Sequence, residues 1–328
     1  MKFFRRFKVL GTGSFLPEKV LTNHDLEKMV DTTDEWIKTR TGIEKRHIAS
    51  EIQATSDLVI EAAKEALKNA GLTASALGAI IVGTISPTTL FPSTACWVQK
   101  DLNVPGIPAF DISAACSGFL YSLDIGSAML STIGKPILVA GADILTKITN
   151  WNDRSSCVLF GDGAGVAIIA PTDEDRGFLS SILGADGSLG ELLVQPAGGS
   201  RMPASHETVE KNLHTIHMEG NQIFKHAVRT MGDAAVAAIE ESGVSPEDIS
   251  LFVPHQANLR IIESTCKRAR VPMEKTHVTI DWHGNMSAGT IPIAFHDAIG
   301  KGLVKRDDKV LFAAFGGGFT WGASVLVF

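Results

Sequence analysis

Apolar positions along the chain fall into two patterns. Short runs such as Ala79-Ile80-Ile81-Val82-Gly83, Ile137-Leu138-Val139-Ala140 and Val310-Leu311-Phe312-Ala313-Ala314 show no polar alternation. Such runs predict strands covered on both faces. Between them lie segments of helical period. In residues 56–71, Val59, Ala62, Ala63, Ala66, Leu67 and Ala70 share one face, with Ser56 as the expected N-cap and Gly71 as the stop. The same pattern returns as Met231, Ala234, Ala235, Ala238, Ile239, Ser242 and Gly243. Ile249, Phe252 and Val253 then follow where the first copy has Leu77, Ile80 and Ile81. Residues 135–141 resemble 308–314, and residues 163–169 resemble 320–326. The expectation is an α/β protein of two similar halves, divided near the pattern-breaking residues 171–177 into 1–173 and 174–328. Residues 144–162 are an unmatched insertion, and 198–213 read as an irregular surface loop. A first strand over residues 7–10 precedes Gly11-Thr12-Gly13. Leu16 and Pro17 stand where a dinucleotide-binding fingerprint would need a third glycine and a helix, so that motif fails.

Composition narrows the function. At 328 residues, 45% hydrophobic and 20% charged, the chain can bury a sizeable core. A net charge of −6 and a pI near 5.9 argue against nucleic acid as the main partner, so an acidic partner must meet a local basic patch. Cys96, Cys116, Cys157 and Cys266 form no C-x-x-C pair and have no histidines at metal spacing, which points to a reducing compartment and to no structural metal. The basic N-terminus, residues 1–8, has no continuous apolar stretch behind it, and no run approaches membrane-spanning length. A soluble cytoplasmic protein is expected.

Candidate chemistry centres on Phe110-Asp111-Ile112-Ser113-Ala114-Ala115-Cys116-Ser117-Gly118-Phe119, where an apolar strand end passes into a helix. A thiol at a helix N-terminus is acidified and becomes a nucleophile; otherwise Cys116 is a small core residue among alanines. The duplication places His255 just past the carboxyl end of a strand, where ligands gather in α/β sheets. It also places Asn285 in Gly284-Asn285-Met286-Ser287-Ala288-Gly289, the turn equivalent to that of Cys116. Each has a plain structural reading, but the three can meet in one site between the halves. His283, beside Trp282, is a rival to His255. Gly316-Gly317-Gly318 after a buried strand permits close ligand approach, and a backbone N–H there could serve an oxyanion hole. A Cys-His-Asn set admits papain-like hydrolysis or thioester condensation, and the duplicated α/β plan favours the second.

Ala114-Ala115-Cys116-Ser117-Gly118-Phe119, Phe160-Gly161-Asp162-Gly163-Ala164-Gly165, Pro254-His255-Gln256-Ala257-Asn258, Gly284-Asn285-Met286-Ser287-Ala288 and Gly316-Gly317-Gly318-Phe319-Thr320-Trp321-Gly322 resemble the motifs of the β-ketoacyl-ACP synthase III enzymes of the thiolase superfamily. The resemblance covers residues 9–328. It implies a layered αβαβα fold and decarboxylative Claisen condensation. Cys116 would be acylated from an acyl-CoA, acetyl-CoA in the first instance, and malonyl-ACP would then be decarboxylated and attack the acyl-enzyme. The product would be a 3-oxoacyl-ACP, starting fatty acid synthesis without a cofactor. By the same resemblance, His255 and Asn285 would stabilise the enolate, and the N–H groups of Cys116 and Gly317 would form the oxyanion hole. Trp36 and Arg154 would sandwich the CoA adenine, with Thr32, Arg40, Gly220, Phe224 and Asn258 lining the path of phosphate and pantetheine. Phe91 would close the acyl pocket across a homodimer interface. Lys225, Arg260, Lys267 and Arg268, with Arg270 nearby, would dock the acidic carrier protein. The alternatives are a related synthase of secondary metabolism with another primer, or a non-catalytic acyl-CoA-binding paralogue.

Overall fold

The computed structural model describes residues 4–328, so residues 1–3 of the basic N-terminus lie outside it. The chain opens with strands β1 (Arg5–Arg6), β2 (Lys8–Phe15) and β3 (Lys19–Thr22). Short helices α1 (Asn23–Leu26) and α2 (Asp34–Thr41) lead to β4 (Lys45–Ile48). Helix α3 (Thr55–Ala70), β5 (Ala79–Gly83), α4 (Thr94–Asp101), β6 (Ala109–Ile112), α5 (Gly118–Ile133) and β7 (Ile137–Ile144) follow. After α6 (Arg154–Cys157), β8 (Asp162–Ala170) closes the first half. The second half runs β9 (Gly177–Ala185), β10 (Leu193–Val194), α7 (His206–Glu210), β11 (His217–Met218), α8 (Gly220–Ser242), β12 (Leu251–Pro254) and α9 (Leu259–Ala269). It ends with α10 (Ile280–His283), α11 (Thr290–Gly300), β13 (Lys309–Gly316) and β14 (Thr320–Val327).

Two five-stranded sheets carry the fold, in the orders β2-β8-β7-β5-β6 and β1-β9-β14-β13-β12. Their plans match strand for strand over β2 and β9, β5 and β12, β7 and β13, β8 and β14. The partner of β6 shrinks in the second half to a single bridge between Phe252 and Thr276. The first two residues of the opening strands cross the expected 173/174 division, since Arg5 and Arg6 pair with Phe178 and Gly177 of β9.

The unbroken apolar strands are explained by the layering. Ile137 and Val139 of β7 join Val310, Phe312 and Ala314 of β13 in a central core that also takes Leu120 and Leu123 of α5 and Ile291 and Phe295 of α11. Leu138 and Ala140 face the other way, onto α3. Leu311 and Ala313 face α8 and α9. Alternate residues therefore enter different cores, α5 and α11 are sandwiched between the sheets, and five layers result. Each fully buried Val, Leu or Ile contributes about 1.5–3 kcal/mol by leaving water.

Three local expectations change. Helix α3 is capped not by Ser56 but from Asp57, whose carboxylate accepts the Ala54 N–H at 2.7 Å, while Gly71 ends it in the left-handed region as expected. The first strand does not stop at residue 10 but runs on through Gly11 and Gly13 to Phe15 in β2. A Cβ on Gly11 would meet the Ala66 carbonyl at 2.5 Å and one on Gly13 the Ala62 carbonyl at 2.2 Å, so glycine here lets α3 lie directly on the strand. The segment 198–213 is built rather than irregular, because Ser205 and Thr208 cap α7 reciprocally and Ala197 bonds Leu213. No helix among the described residues is long and apolar enough to cross a membrane.

Candidate active site

A cavity of about 860 Å³ opens between the halves, and Cys116, His255, Asn285, Gly316 and Gly317 all line it. Cys116, His255, Gly316 and Gly317 come from the carboxyl end of a strand or the residues that follow it, whereas Asn285 follows the short helix α10 and leads into the turn before α11. Cys116 sits in the tight turn Ala115–Ser117 between β6 and α5, entered through Ala115 in the left-handed region at φ 44°. The equivalent turn Ser287–Gly289 enters through Ser287 at φ 46°.

Cys116 is not acidified. Burial pushes its thiol up to about 12; the Ser287 hydroxyl opposes this, and the nearby charge of Asp143 adds to it. Although the residue opens partly onto the cavity, its sulfur is deep enough for desolvation to outweigh the helix start. Asp143, at the end of β7, is itself buried. It accepts hydrogen bonds from Thr84 Oγ1, the Ile85 and Ser86 amides, Ser86 Oγ and the Ala288 amide, while burial raises its pKa.

His255 continues the β12 ladder by donating its amide to the Ala313 carbonyl at 2.8 Å. Its ring is buried, with Nδ1 2.6 Å from Thr290 Oγ1 and Nε2 without a partner among the described residues. Burial pushes its pKa down to about 3, with His283 adding to the effect, so the ring is neutral. His283 is ruled out as the rival because both its nitrogens are engaged, with the Gly284 carbonyl at 2.7 Å and Thr279 Oγ1 at 2.6 Å. Asn285 is fixed through its backbone. Its amide donates to the Leu159 carbonyl and its carbonyl accepts from the Gly161 amide. Its Oδ1 accepts the Ser287 amide at 2.9 Å, which leaves Nδ2 as the group it can offer. The fully buried Arg46 braces the same wall, donating to the Val158 carbonyl at 2.6 Å and to Asn23 Oδ1 at 2.8 Å.

On the nucleophile's other side, a Cβ on Gly316 would lie 2.6 Å from the Cys116 nitrogen. Thr320 Oγ1 ties this corner to the nucleophile turn by donating to the Ala114 carbonyl at 2.7 Å.

At the mouth, Trp36, Arg40, Gly220, Phe224, Asn258 and Arg260 line the cavity. The expected sandwich of Trp36 and Arg154 is closed: the Arg154 guanidinium lies 4.9 Å from the Trp36 ring centre and donates to the Asp31 carbonyl. Two planes holding an adenine need about 7 Å between them, so Arg154 must swing aside for one to enter. Asn258 spends its side chain capping α9 and bonding the Arg40 carbonyl. Thr32 is not among the lining residues, and its hydroxyl is buried without a partner among the described residues. Phe91 is 87% exposed beside Leu90 and does not line this chain's own cavity. Of the basic residues, Arg260 lies over the Phe224 ring and Arg268 is ion-paired to Asp233, whereas Lys225 and Lys267 are exposed beyond the cavity lining. Asp143, Ser287 and Thr290 were missed in the sequence. The duplication could have exposed Thr290, since it sets it opposite Gly118.

A duplicated α/β fold with a cysteine, a histidine and an asparagine around one cavity at the seam defines a condensing enzyme of the thiolase superfamily. Residues 110–187 match the family profile of 3-oxoacyl-[acyl-carrier-protein] synthase III, and residues 239–328 match its C-terminal counterpart. The chain is 54% identical to the β-ketoacyl-[acyl-carrier-protein] synthase III of Caldanaerobacter subterraneus subsp. tengcongensis, covering 97% of this chain and 96% of that one. It is 50% identical to the enzyme of the same name from Natranaerobius thermophilus, over 97% and 98%. The crystal structure of 3-oxoacyl-[acyl-carrier-protein] synthase III from Aquifex aeolicus superposes with a TM-score of 0.90 at 46% identity, over 98% of this chain and all of that one. The chain belongs to the β-ketoacyl-ACP synthase III family, acyltransferases that condense an acyl-CoA with malonyl-ACP to start fatty acid synthesis.

Proposed function

We propose that the cavity joins an acyl-CoA primer to malonyl-ACP through an acyl-Cys116 intermediate. In the first half-reaction the Cys116 sulfur attacks the thioester carbonyl, the bond to the CoA sulfur breaks, and the thiol proton leaves to the CoA sulfur. In the second, malonyl-ACP loses CO₂ and the resulting enolate attacks the acyl-Cys carbonyl. The Cys116 sulfur departs and takes up one proton. The negative charge appears first on the enolate oxygen and then on the oxygen of the attacked carbonyl. His255 Nε2–H and Asn285 Nδ2–H meet the first, and the backbone N–H groups of Cys116 and Gly317 meet the second. The observation that carries this reading is the pair of preset neutral donors. A buried imidazole has an Nε2 without a partner among the described residues, and an amide lining the same cavity has its oxygen already spent on the Ser287 N–H.

Thr32, Trp36, Arg40, Arg154, Gly220, Phe224 and Asn258 form the CoA channel. Phe91 serves the acyl pocket of a partner in a homodimer, which accounts for its exposure with Leu90. Lys225, Arg260, Lys267 and Arg268 face the carrier protein. Acetyl-CoA is the primer. The 50–54% identity to enzymes named β-ketoacyl-ACP synthase III favours fatty acid initiation over secondary metabolism.

Intact-protein mass spectrometry with a panel of acyl-CoAs tests the first half-reaction, and Cys116→Ala should abolish every adduct. His255→Ala and Asn285→Ala should each lose on the order of 10²-fold or more in condensation, the scale of an oxyanion donor, with acylation affected less. Adducts mapping to Cys96, Cys157 or Cys266, or equal losses in both half-reactions, would overturn the roles.

A further inference from the structure

The two halves carry the same backbone at their central turns but different side chains, and the difference is concentrated in one pair. The duplication sets His255 opposite Gly83 and Thr290, the first residue of α11, opposite Gly118, the first residue of α5. In the first half those glycines touch through their backbones: a Cβ on Gly83 would fall 2.5 Å from the Gly118 carbonyl carbon. In the second half the same junction is filled by an imidazole and a hydroxyl held 2.6 Å apart.

That hydroxyl has one hydrogen and defined neighbours. Thr290 Oγ1 accepts the Gln256 amide at 3.3 Å and can donate either to His255 Nδ1 at 2.6 Å or to the Ser287 carbonyl at 3.2 Å. With the hydrogen on the shorter contact, Nδ1 accepts and the ring's only proton stands on Nε2, the arrangement the donor role of His255 requires; with it on the Ser287 carbonyl, Nδ1 would donate to Oγ1 instead. The positive end of α11, which begins at Thr290, disfavours a second proton on the ring.

We infer that Thr290 is a positioning residue that holds His255 as the neutral Nε2–H tautomer, the form able to donate to the enolate oxygen. The inference rests on the donor role proposed above for His255. The alternative tautomer would turn a lone pair toward the developing negative charge, and the ring could then only repel it.

The tautomer is readable without turnover. In protein labelled with ¹⁵N-histidine, the His255 resonances are identified by their absence from His255→Ala, and in the wild-type chain the proton should sit on Nε2. A proton on Nδ1 would overturn the inference, and this measurement needs no Thr290 variant to fold. In Thr290→Val, close in shape but without the hydroxyl, the ring should populate both tautomers. Condensation should fall about 10-fold, the rate equivalent of one buried hydrogen bond, with acylation of Cys116 within about twofold of wild type. Thr290→Ser should restore both the tautomer and the rate. Normal condensation in Thr290→Val, or no rescue by serine, would refute the inference even if His255→Ala keeps its selective defect. Loss of that selective defect would instead remove the donor role itself.

Discussion

Gly316→Ala tests whether the nucleophile's position depends on the close approach of β13. The added Cβ would lie 2.6 Å from the Cys116 nitrogen and 2.9 Å from its Cβ, whereas real Cβ contacts essentially never fall below 3.0 Å. A displacement of at least roughly 0.4 Å must be absorbed somewhere in a close-packed interior. It cannot be taken up by a flexible side chain, because the nearest atom is backbone. Nor can β13 retreat easily, since Gly316 pairs with Thr320 of β14 and the Thr320 hydroxyl is anchored on the Ala114 carbonyl. The Cys116 turn must move. Overpacking of this kind costs about 1–3 kcal/mol of stability, and a misplaced reacting atom costs up to about 10²-fold in rate. Single-turnover acylation by acetyl-CoA, followed by rapid quench and intact mass, should slow by about that factor, with a lowered Tm in the same preparation. Acylation at the wild-type rate with an unchanged Tm would refute the idea that this contact sets the nucleophile.

In the substrate-free enzyme, alkylation of Cys116 by iodoacetamide depends on the thiolate, whose fraction rises with pH until the thiol pKa is passed. With that pKa pushed up to about 12, the rate measured on the Cys116 peptide should still be climbing at the alkaline end of the accessible range; a plateau near neutrality would show an acidified thiol. Arg260 lies on Phe224 within the cavity wall, so carrier docking is better probed at the exposed Lys225 and Lys267. Reversing both to Glu should raise the KM for malonyl-ACP several-fold at low salt and leave acylation by acetyl-CoA nearly unchanged, because rim charges act on association and are screened by salt. Unchanged malonyl-ACP kinetics at low ionic strength would move the docking surface elsewhere. Arg154→Ala removes the guanidinium that covers Trp36, so acyl-CoA affinity reports whether that stack helps or hinders entry; a raised KM is expected if the residue swings aside and then holds the adenine.

The sheets and their duplication were legible because a strand buried on both faces must be apolar throughout. Residues 79–83 and 137–140 have no polar face to hide, and the repeated helix-then-strand order did the rest. That Cys116, His255 and Asn285 would meet at one cavity was legible from the duplication, which put His255 after a strand end, where an α/β sheet leaves open space, and Cys116 and Asn285 at equivalent turns into helices. Distances set by packing across the fold were not legible. The first strand was expected to stop at residue 10 because only the helix lying on Gly11 and Gly13 gives glycine a reason to be in a strand. The α3 cap passed to Asp57 because a carboxylate three residues on reaches the free amide of Ala54. The state of the thiol depends on how far burial offsets a helix end, and no local motif carries that balance.

That balance also bears on the choice between hydrolysis and condensation left open by a Cys-His-Asn set. A papain-like mechanism runs on a thiolate and imidazolium pair, which needs the cysteine pKa below that of its histidine. Here burial acts in opposite directions on the two groups, raising the thiol to about 12 and lowering the imidazole to about 3. At neutral pH the pair is therefore uncharged. An uncharged imidazole at this depth is a poor base for the thiol and a good donor to an oxyanion, and it needs no reorganisation when that charge appears. The burial that keeps both groups uncharged thus suits His255 to the role proposed for it, donation to the enolate in a step where a carbanion, rather than water, attacks the acyl-enzyme.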